Sequence, residues 1–254
     1  MKKRKIIFFS HVLVLGMFVL FSCSKSEKVT PINPAPPRDT FPQQTAGLTV
    51  DAISQPGSNI TNYLLYIPDG YNSQTEKWPL VIFLHGVGEI GTNIDVLRNV
   101  GLPKVVKGKP FVMIAPQCRA NWWNTDALES LYKTVVSKYH IDPSRVYLTG
   151  LSMGGMQTWD WAEAHPERFA AIVPIAGRGN VSLVGKIKDL PIWAFHSADD
   201  PTVSVSGSRD MVKALQALGS NVKYTEYPNG GHDSWTRAYA TADLYTWMLK
   251  QKKQ

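Results

Sequence analysis

Cysteine is nearly absent: the 254 residues contain two, Cys23 and Cys118. Cys23 lies in a leader-like segment, so Cys118 is the single thiol of the remaining chain and no intrachain disulfide framework is expected. Cys118 closes an apolar run and reads as a packed residue, not a nucleophile. Metal chemistry has as little to build on. There is no His-Glu-x-x-His and no Cys/His set at ligand spacing, so neither a metal nor another cofactor is expected. No internal repeat is visible. Positive charge is also scarcer than the totals suggest. Lys and Arg number 27 against 20 Asp and Glu, a net +7. Lys2, Lys3, Arg4 and Lys5 fall within the first 22 residues with no acid among them, and without that segment the net charge is +3. Nucleic acid is therefore not an expected partner.

What the N-terminus does contain is a basic tetrapeptide followed by a mostly apolar stretch, Ile6 to Phe21, interrupted by Ser10-His11. This is the pattern of a bacterial secretion signal over residues 1–22, too short and too early for a spanning helix. Leu20-Phe21-Ser22-Cys23 resembles a lipobox, in which the cysteine is lipidated and anchors the mature chain to a membrane. An ordinary signal peptide or an uncleaved anchor is the alternative. Residues 23–46 are rich in Ser, Lys, Pro, Gln and Thr, with Pro31, Pro34, Pro36, Pro37 and Pro42. Such a segment cannot bury enough apolar surface to order itself and reads as a tether. The expected protein is exported and held at the cell envelope, periplasmic or surface-facing, with one domain over residues 47–254.

Strand and helix patterns alternate through that domain. Asn62–Ile67 reads as a strand ending at Pro68-Asp69-Gly70-Tyr71. Trp78–Leu84 is apolar without alternation, as a strand covered on both faces should be. A weak helix over Ile94–Val106 leads to a strand at Phe111–Ala115, and a helix is expected from Asp126 to Tyr139. Strands follow at Arg145–Thr149, Phe169–Ala176, Leu190–Phe195 and Val222–Tyr227. Helices are expected over 155–164, 208–218 and 235–250. This alternation predicts an α/β fold with a doubly wound, mostly parallel sheet, and places function at the carboxyl ends of the strands.

The strand at 145–149 runs directly into Gly150-Leu151-Ser152-Met153-Gly154-Gly155. Strand, sharp turn with a serine at its tip, then helix is the context of a nucleophile elbow. A serine is a weak nucleophile at neutral pH and needs an imidazole within hydrogen-bond reach, itself oriented by a carboxylate. Two later strand ends carry such groups: His196-Ser197-Ala198-Asp199-Asp200 and Gly230-Gly231-His232-Asp233. His232, in a glycine-preceded loop after the last strand, is placed to reach Ser152. His11 leaves with the leader; His140 and His165 lie near helix ends; His85 precedes Gly86 at a strand end and suits loop architecture; His196 stands within the acid loop. Of the neighbours Asp199 and Asp200 only one can meet the imidazole, and Asp233 reads as a capping carboxylate. The oxyanion of acyl transfer needs fixed N–H donors, expected from the backbone amides of Met153 and Val87. Gly86-Val87-Gly88-Glu89-Ile90-Gly91 also spells a dinucleotide fingerprint. That reading wants an acid at the end of the next strand, where Ala115-Pro116-Gln117 has none.

From about Tyr63 to Met248 the chain resembles the α/β-hydrolase superfamily, in its carboxylesterase/phospholipase and dienelactone-hydrolase branch. Leu84-His85-Gly86-Val87-Gly88-Glu89, Ala115-Pro116-Gln117, Gly150-Leu151-Ser152-Met153-Gly154-Gly155 and Gly231-His232 carry the likeness. The acid loop resembles the family pattern His-Gly-x-x-Asp-x-x-Val, with Ser197 where the glycine usually stands; that pattern puts the acid at Asp200. The resemblance implies a serine hydrolase acting through an acyl-enzyme. Secreted lipoprotein esterases and peptidase-like proteins of this branch are the nearest in kind. Only Gly177 to Asp189 separates two successive strands where many relatives insert helices, so no cap domain is expected and the cleft should be open. Trp122, Trp123 and Trp235 are candidate substrate-binding rings, with at least one of the first two alternatively a core residue. The expected substrate is an acetyl or feruloyl ester on carbohydrate, or another small acyl or aryl ester. A serine peptidase of the same fold and a non-catalytic carbohydrate-binding lipoprotein are the alternatives.

Overall fold

The computed structural model describes residues 41–55 and 58–253. The expected leader, Cys23 and most of the tether lie outside the described residues.

Eight strands form one sheet: β1 (Gly47–Ala52), β2 (Ile60–Ile67), β3 (Trp78–Leu84), β4 (Val112–Cys118), β5 (Ile141–Leu151), β6 (Ala171–Ile175), β7 (Trp193–Ser197) and β8 (Lys223–Tyr227). Their spatial order is β1-β2-β4-β3-β5-β6-β7-β8. The first two are antiparallel to their neighbours and the other six run parallel. Among the described residues six α-helices accompany them: α1 (Gly101–Val105), α2 (Thr125–Lys138), α3 (Met153–Ala164), α4 (Ser206–Ala217), α5 (Trp235–Ala240) and α6 (Ala242–Lys250).

Strand β3 shows why the apolar runs lack alternation. Leu80, Ile82 and Leu84 join a core with Leu128 and Leu131 of α2, Trp159 of α3 and Met211 and Leu215 of α4. Val81 and Phe83 face the other way, into a second core with Leu102 of α1, Tyr239 of α5 and Leu244 and Met248 of α6. Both faces of the sheet are therefore covered, and both side-chain sets of a central strand must be apolar. From β3 the chain moves outward to β4 on one side and then returns to β5 on the other. This reversal opens a crevice at the carboxyl ends of β3 and β5, the place where open α/β sheets bind ligands. The link from β6 to β7 holds one short 3₁₀ turn, Val181–Lys186, and no cap domain is present among the described residues.

Two expected helices are divided and one strand is added. Strand β1 is a partly exposed edge strand: of its alternating Leu48, Val50 and Ala52, Leu48 packs against a core while Val50 is 47% exposed. It is held by tertiary bonds: the Asp51 carboxylate accepts from Tyr63 Oη at 2.7 Å, Lys138 Nζ at 2.6 Å and the Tyr139 hydroxyl. Burial would raise this carboxyl, but the bonds from Lys138, Tyr139 and Tyr63 hold it down at about 2. The helix expected over 94–106 divides into a 3₁₀ turn, Ile94–Asn99, and α1. At Val100 the backbone is extended, with φ −127° and ψ 144°. The closing helix divides at Thr241, also extended, whose hydroxyl donates back to Arg237 O at 3.0 Å.

Candidate active site

Ser152 stands between β5 and α3 with φ 52° and ψ −118°, one of two non-glycine residues at positive φ among the described residues. An L-residue is held there only when its surroundings over-determine it. Here the Ser152 N–H donates to Ile175 O at 2.9 Å, and the elbow is packed too tightly for side chains on either flank. A Cβ at Gly154 would lie 2.0 Å from Leu84 O, and one at Gly150 would lie 2.3 Å from Gly154 O.

The loops after β7 and β8 meet this turn. Ser152 Oγ lies 2.9 Å from His232 Nε2, and His232 Nδ1 lies 2.7 Å from Asp200 Oδ2. Asp200 Oδ1 accepts the backbone N–H groups of Thr202 at 2.8 Å and Val203 at 2.9 Å. Burial alone would raise the Asp200 carboxyl; hydrogen bonds from His232, Val203 and Thr202 hold it below its ordinary value. The carboxylate is thus ionised and can accept Nδ1–H, which leaves the Nε2 lone pair to face the serine hydroxyl.

Asp199 points elsewhere. Its two oxygens accept the N–H groups of Gly231 at 2.9 Å and Gly230 at 3.3 Å, gripping the backbone just before His232. Gly230 and Gly231 have φ of 137° and 56°, so the loop bends in a way glycine tolerates best. Asp233 accepts from Thr236 N and Oγ1 at the start of α5.

Val87 and Met153 each open a helical turn, so their amide N–H groups have no acceptor within that turn. Their two segments are in contact: a Cβ built on Gly86 would lie 3.5 Å from Ser152 Cβ. Glu89 braces the Val87 turn, its Oε2 accepting the Gly86 N–H at 3.1 Å. The sequence signal for this role is the place of Glu89 three residues after Gly86, the spacing of a capping box. The same 3₁₀ turn, Val87–Glu89, occupies the stretch that spells a dinucleotide fingerprint, and no α-helix opens there.

His85 is fully buried behind this loop. Its Nε2 accepts the Cys118 N–H at 2.9 Å and its Nδ1 donates to Gly86 O at 2.6 Å. Burial pushes its imidazole down to about 4, so it is a neutral strut. Cys118 is buried, its thiol raised by burial.

The three tryptophans divide. Trp123 is only 5% exposed, its ring 4.7 Å from that of His85 and its Nε1–H donated to His85 O. Its environment is that of a packed residue with little free face. Trp122 is 46% exposed, and the Val87 side chain 66%. Trp235 stands edge-on to the His232 ring, at 5.2 Å and 88°, and buttresses the imidazole. Among the described residues no cluster of three or more His, Cys, Asp or Glu could hold a metal ion.

Residues 124–247 match the Phospholipase/Carboxylesterase family. The chain is 26% identical over 185 residues to a probable feruloyl esterase C of Aspergillus terreus, covering 68% of this chain and 67% of that protein. It is 25% identical over 181 residues to a bifunctional acetylxylan esterase/xylanase of Neocallimastix patriciarum, covering 66% of this chain but 26% of that protein. The crystal structure of a thermostable esterase superposes with a TM-score of 0.71 at 35% identity, covering 81% of this chain and 63% of the other. The doubly wound sheet, the elbow at its switch point and these likenesses lead to one conclusion: the chain has the α/β-hydrolase fold and is carboxylesterase-like in sequence and structure.

Proposed function

We propose that the protein is a serine hydrolase that cleaves carboxylic esters through an acyl-enzyme, acting on acetyl or feruloyl groups carried by carbohydrate. The observation that carries this is the unbroken line Ser152 Oγ, His232, Asp200, with contacts of 2.9 and 2.7 Å. In this reading His232 Nε2 takes the Ser152 proton as Oγ attacks the ester carbonyl carbon. The carbonyl oxygen becomes an oxyanion, received by the amides of Met153 and Val87. Collapse of the tetrahedral intermediate breaks the bond to the alcohol oxygen, which leaves with the proton from His232. Water, deprotonated by the same imidazole, then attacks the acyl-serine, and the acid departs as Ser152 regains its proton. Asp200 remains ionised throughout and stabilises the transient imidazolium.

Substrate class rests on the shape of the cleft and on the relatives. A long acyl chain needs an enclosed apolar tunnel, and the short β6–β7 link supplies no lid. Trp122 presents a flat exposed face after the end of β4, suited to a sugar or aryl ring. The relatives include a probable feruloyl esterase and an acetylxylan esterase/xylanase. The test is a turnover panel. Clear hydrolysis is expected with p-nitrophenyl acetate and with at least one hydroxycinnamoyl or sugar-linked ester, and little with p-nitrophenyl palmitate. Faster turnover of aminoacyl or peptidyl anilides than of any ester would make the enzyme a peptidase.

The site would act outside the cytoplasm, on a lipid anchor at Cys23. The wild type is then expected in the membrane fraction, and Cys23→Ala in the soluble fraction or as unprocessed precursor. Wild-type protein that is soluble, with a mature start other than Cys23, would refute the anchor.

A further inference from the structure

The Asp200 carboxylate serves two imidazoles. Its Oδ2 faces His232 Nδ1 on one side and, at 3.3 Å, His196 Nε2 on the other. The His196 side chain is fully buried. Its Nε2 also lies 2.9 Å from Val203 O, and its Nδ1 lies 2.8 Å from Ser208 Oγ in α4. Ser208 Oγ in turn is 3.0 Å from Gly177 O, just past the end of β6.

The protons on this network follow from its acceptors. Val203 O needs a donor, and Asp200 Oδ2, already bonded by His232, can take a second, so Nε2 must carry hydrogen. Burial disfavours a second proton on the ring. Nδ1 is then a lone pair, and the Ser208 hydroxyl turns its one hydrogen toward it. Should the ring become charged, Nδ1–H would donate to Ser208 Oγ and the hydroxyl hydrogen would swing to Gly177 O. Both states find partners in one arrangement of heavy atoms.

We infer that His196 is a positioning residue. Through Nε2–H it holds Asp200 Oδ2 in line with His232 Nδ1 and takes up part of the carboxylate's charge, while Ser208 fixes its tautomer. The full line is then hydroxyl, imidazole, carboxylate, imidazole, hydroxyl, from Ser152 to Ser208. This rests on the triad reading above. The other carboxylates around His196 are already engaged. Glu226 lies opposite it on β8 and is gripped by Arg209 at 2.9 and 2.7 Å. Asp199 is held by the Gly230 and Gly231 amides, and Arg178 packs its Cβ near Gly207, beside Ser208.

The test compares the full-length wild type with His196→Phe, His196→Gln and Ser208→Ala, using p-nitrophenyl acetate across pH together with thermal melts. His196→Phe keeps the ring and removes both polar atoms. It is expected to lower kcat about 10²-fold with KM unchanged. It should also move the acidic limb of the kcat/KM profile to higher pH, because Asp200, relieved of one donor, favours the His232 cation more strongly. His196→Gln, whose amide can stand in for Nε2–H, should return the limb toward the wild type. Ser208→Ala, which leaves the bulk and frees the tautomer, should move the limb the same way by less; it keeps the test alive if His196→Phe does not fold. A loss of kcat that follows the melting temperature, with the limb fixed in every variant that folds, would overturn the inference. Fluorophosphonate labelling that depends on Ser152 tests the triad separately, so the two failures are distinguishable.

Discussion

Ser152→Ala is expected to lower kcat by about 10⁴ to 10⁶ and to end labelling by a fluorophosphonate probe. Among the described residues no other hydroxyl is hydrogen-bonded to His232 Nε2, so none of them is placed to substitute as nucleophile. The residual rate should be that of an oxyanion site and a bound substrate alone. Because Oγ accounts for the whole of the change, the melting temperature should move little, and the variant should still bind ester. Labelling retained in Ser152→Ala would remove Ser152 from the chemistry and the triad with it.

Asp200→Asn and Asp199→Asn should differ sharply although the residues are adjacent. In the first, the amide can offer N–H to His232 Nδ1 where the carboxylate accepted it. The imidazole then carries its proton on Nε2 and cannot accept one from Ser152, a tautomer error worth about 10⁴ in kcat in a comparable triad. In the second, the side chain only receives the Gly230 and Gly231 amides. An asparagine oxygen can still accept one of these, and a loss within about tenfold is expected, in the range of one weakened neutral hydrogen bond. Measuring kcat/KM for p-nitrophenyl acetate with both variants decides it. If Asp199→Asn were the more damaging, the loop would serve the imidazole through the earlier carboxylate.

Much of this was legible in the residues, for reasons that also explain the gaps. Strands β3 and β5 announce themselves because both faces are covered, and the elbow because only glycines fit at positions 150 and 154. Asp200 could be preferred to Asp199 only by pattern; what separates them is which group each meets 31 or 32 residues along the chain, the His232 ring for Asp200 and the Gly230 and Gly231 amides for Asp199. Strand β1 gave a weak signal because it is a short edge strand with Val50 exposed, held by its ladder to β2 and by the tertiary bonds of Asp51. The packing of Trp123 on His85 and the reach of His196 to Asp200 are likewise tertiary facts. A histidine inside the acid loop reads as a neighbour until its ring is seen to share the carboxylate.

The crowding at the elbow also decides how this protein can be toughened against heat. Exchanging glycine for alanine is an ordinary route to a more robust chain, since it narrows the unfolded ensemble. At Gly150, Gly154 and Gly155 that route is shut, the new carbon meeting a carbonyl oxygen at 2.0 to 2.3 Å. Gly70, Gly91, Gly108 and Gly219 have room, but their positive φ makes alanine a strained guest. Gly88, in the turn Val87–Glu89, and Gly185, on the 3₁₀ turn between β6 and β7, combine open space with an ordinary φ. Selection for thermal endurance should therefore collect its changes on that short link and at the rim, and leave the turn bearing Ser152 untouched.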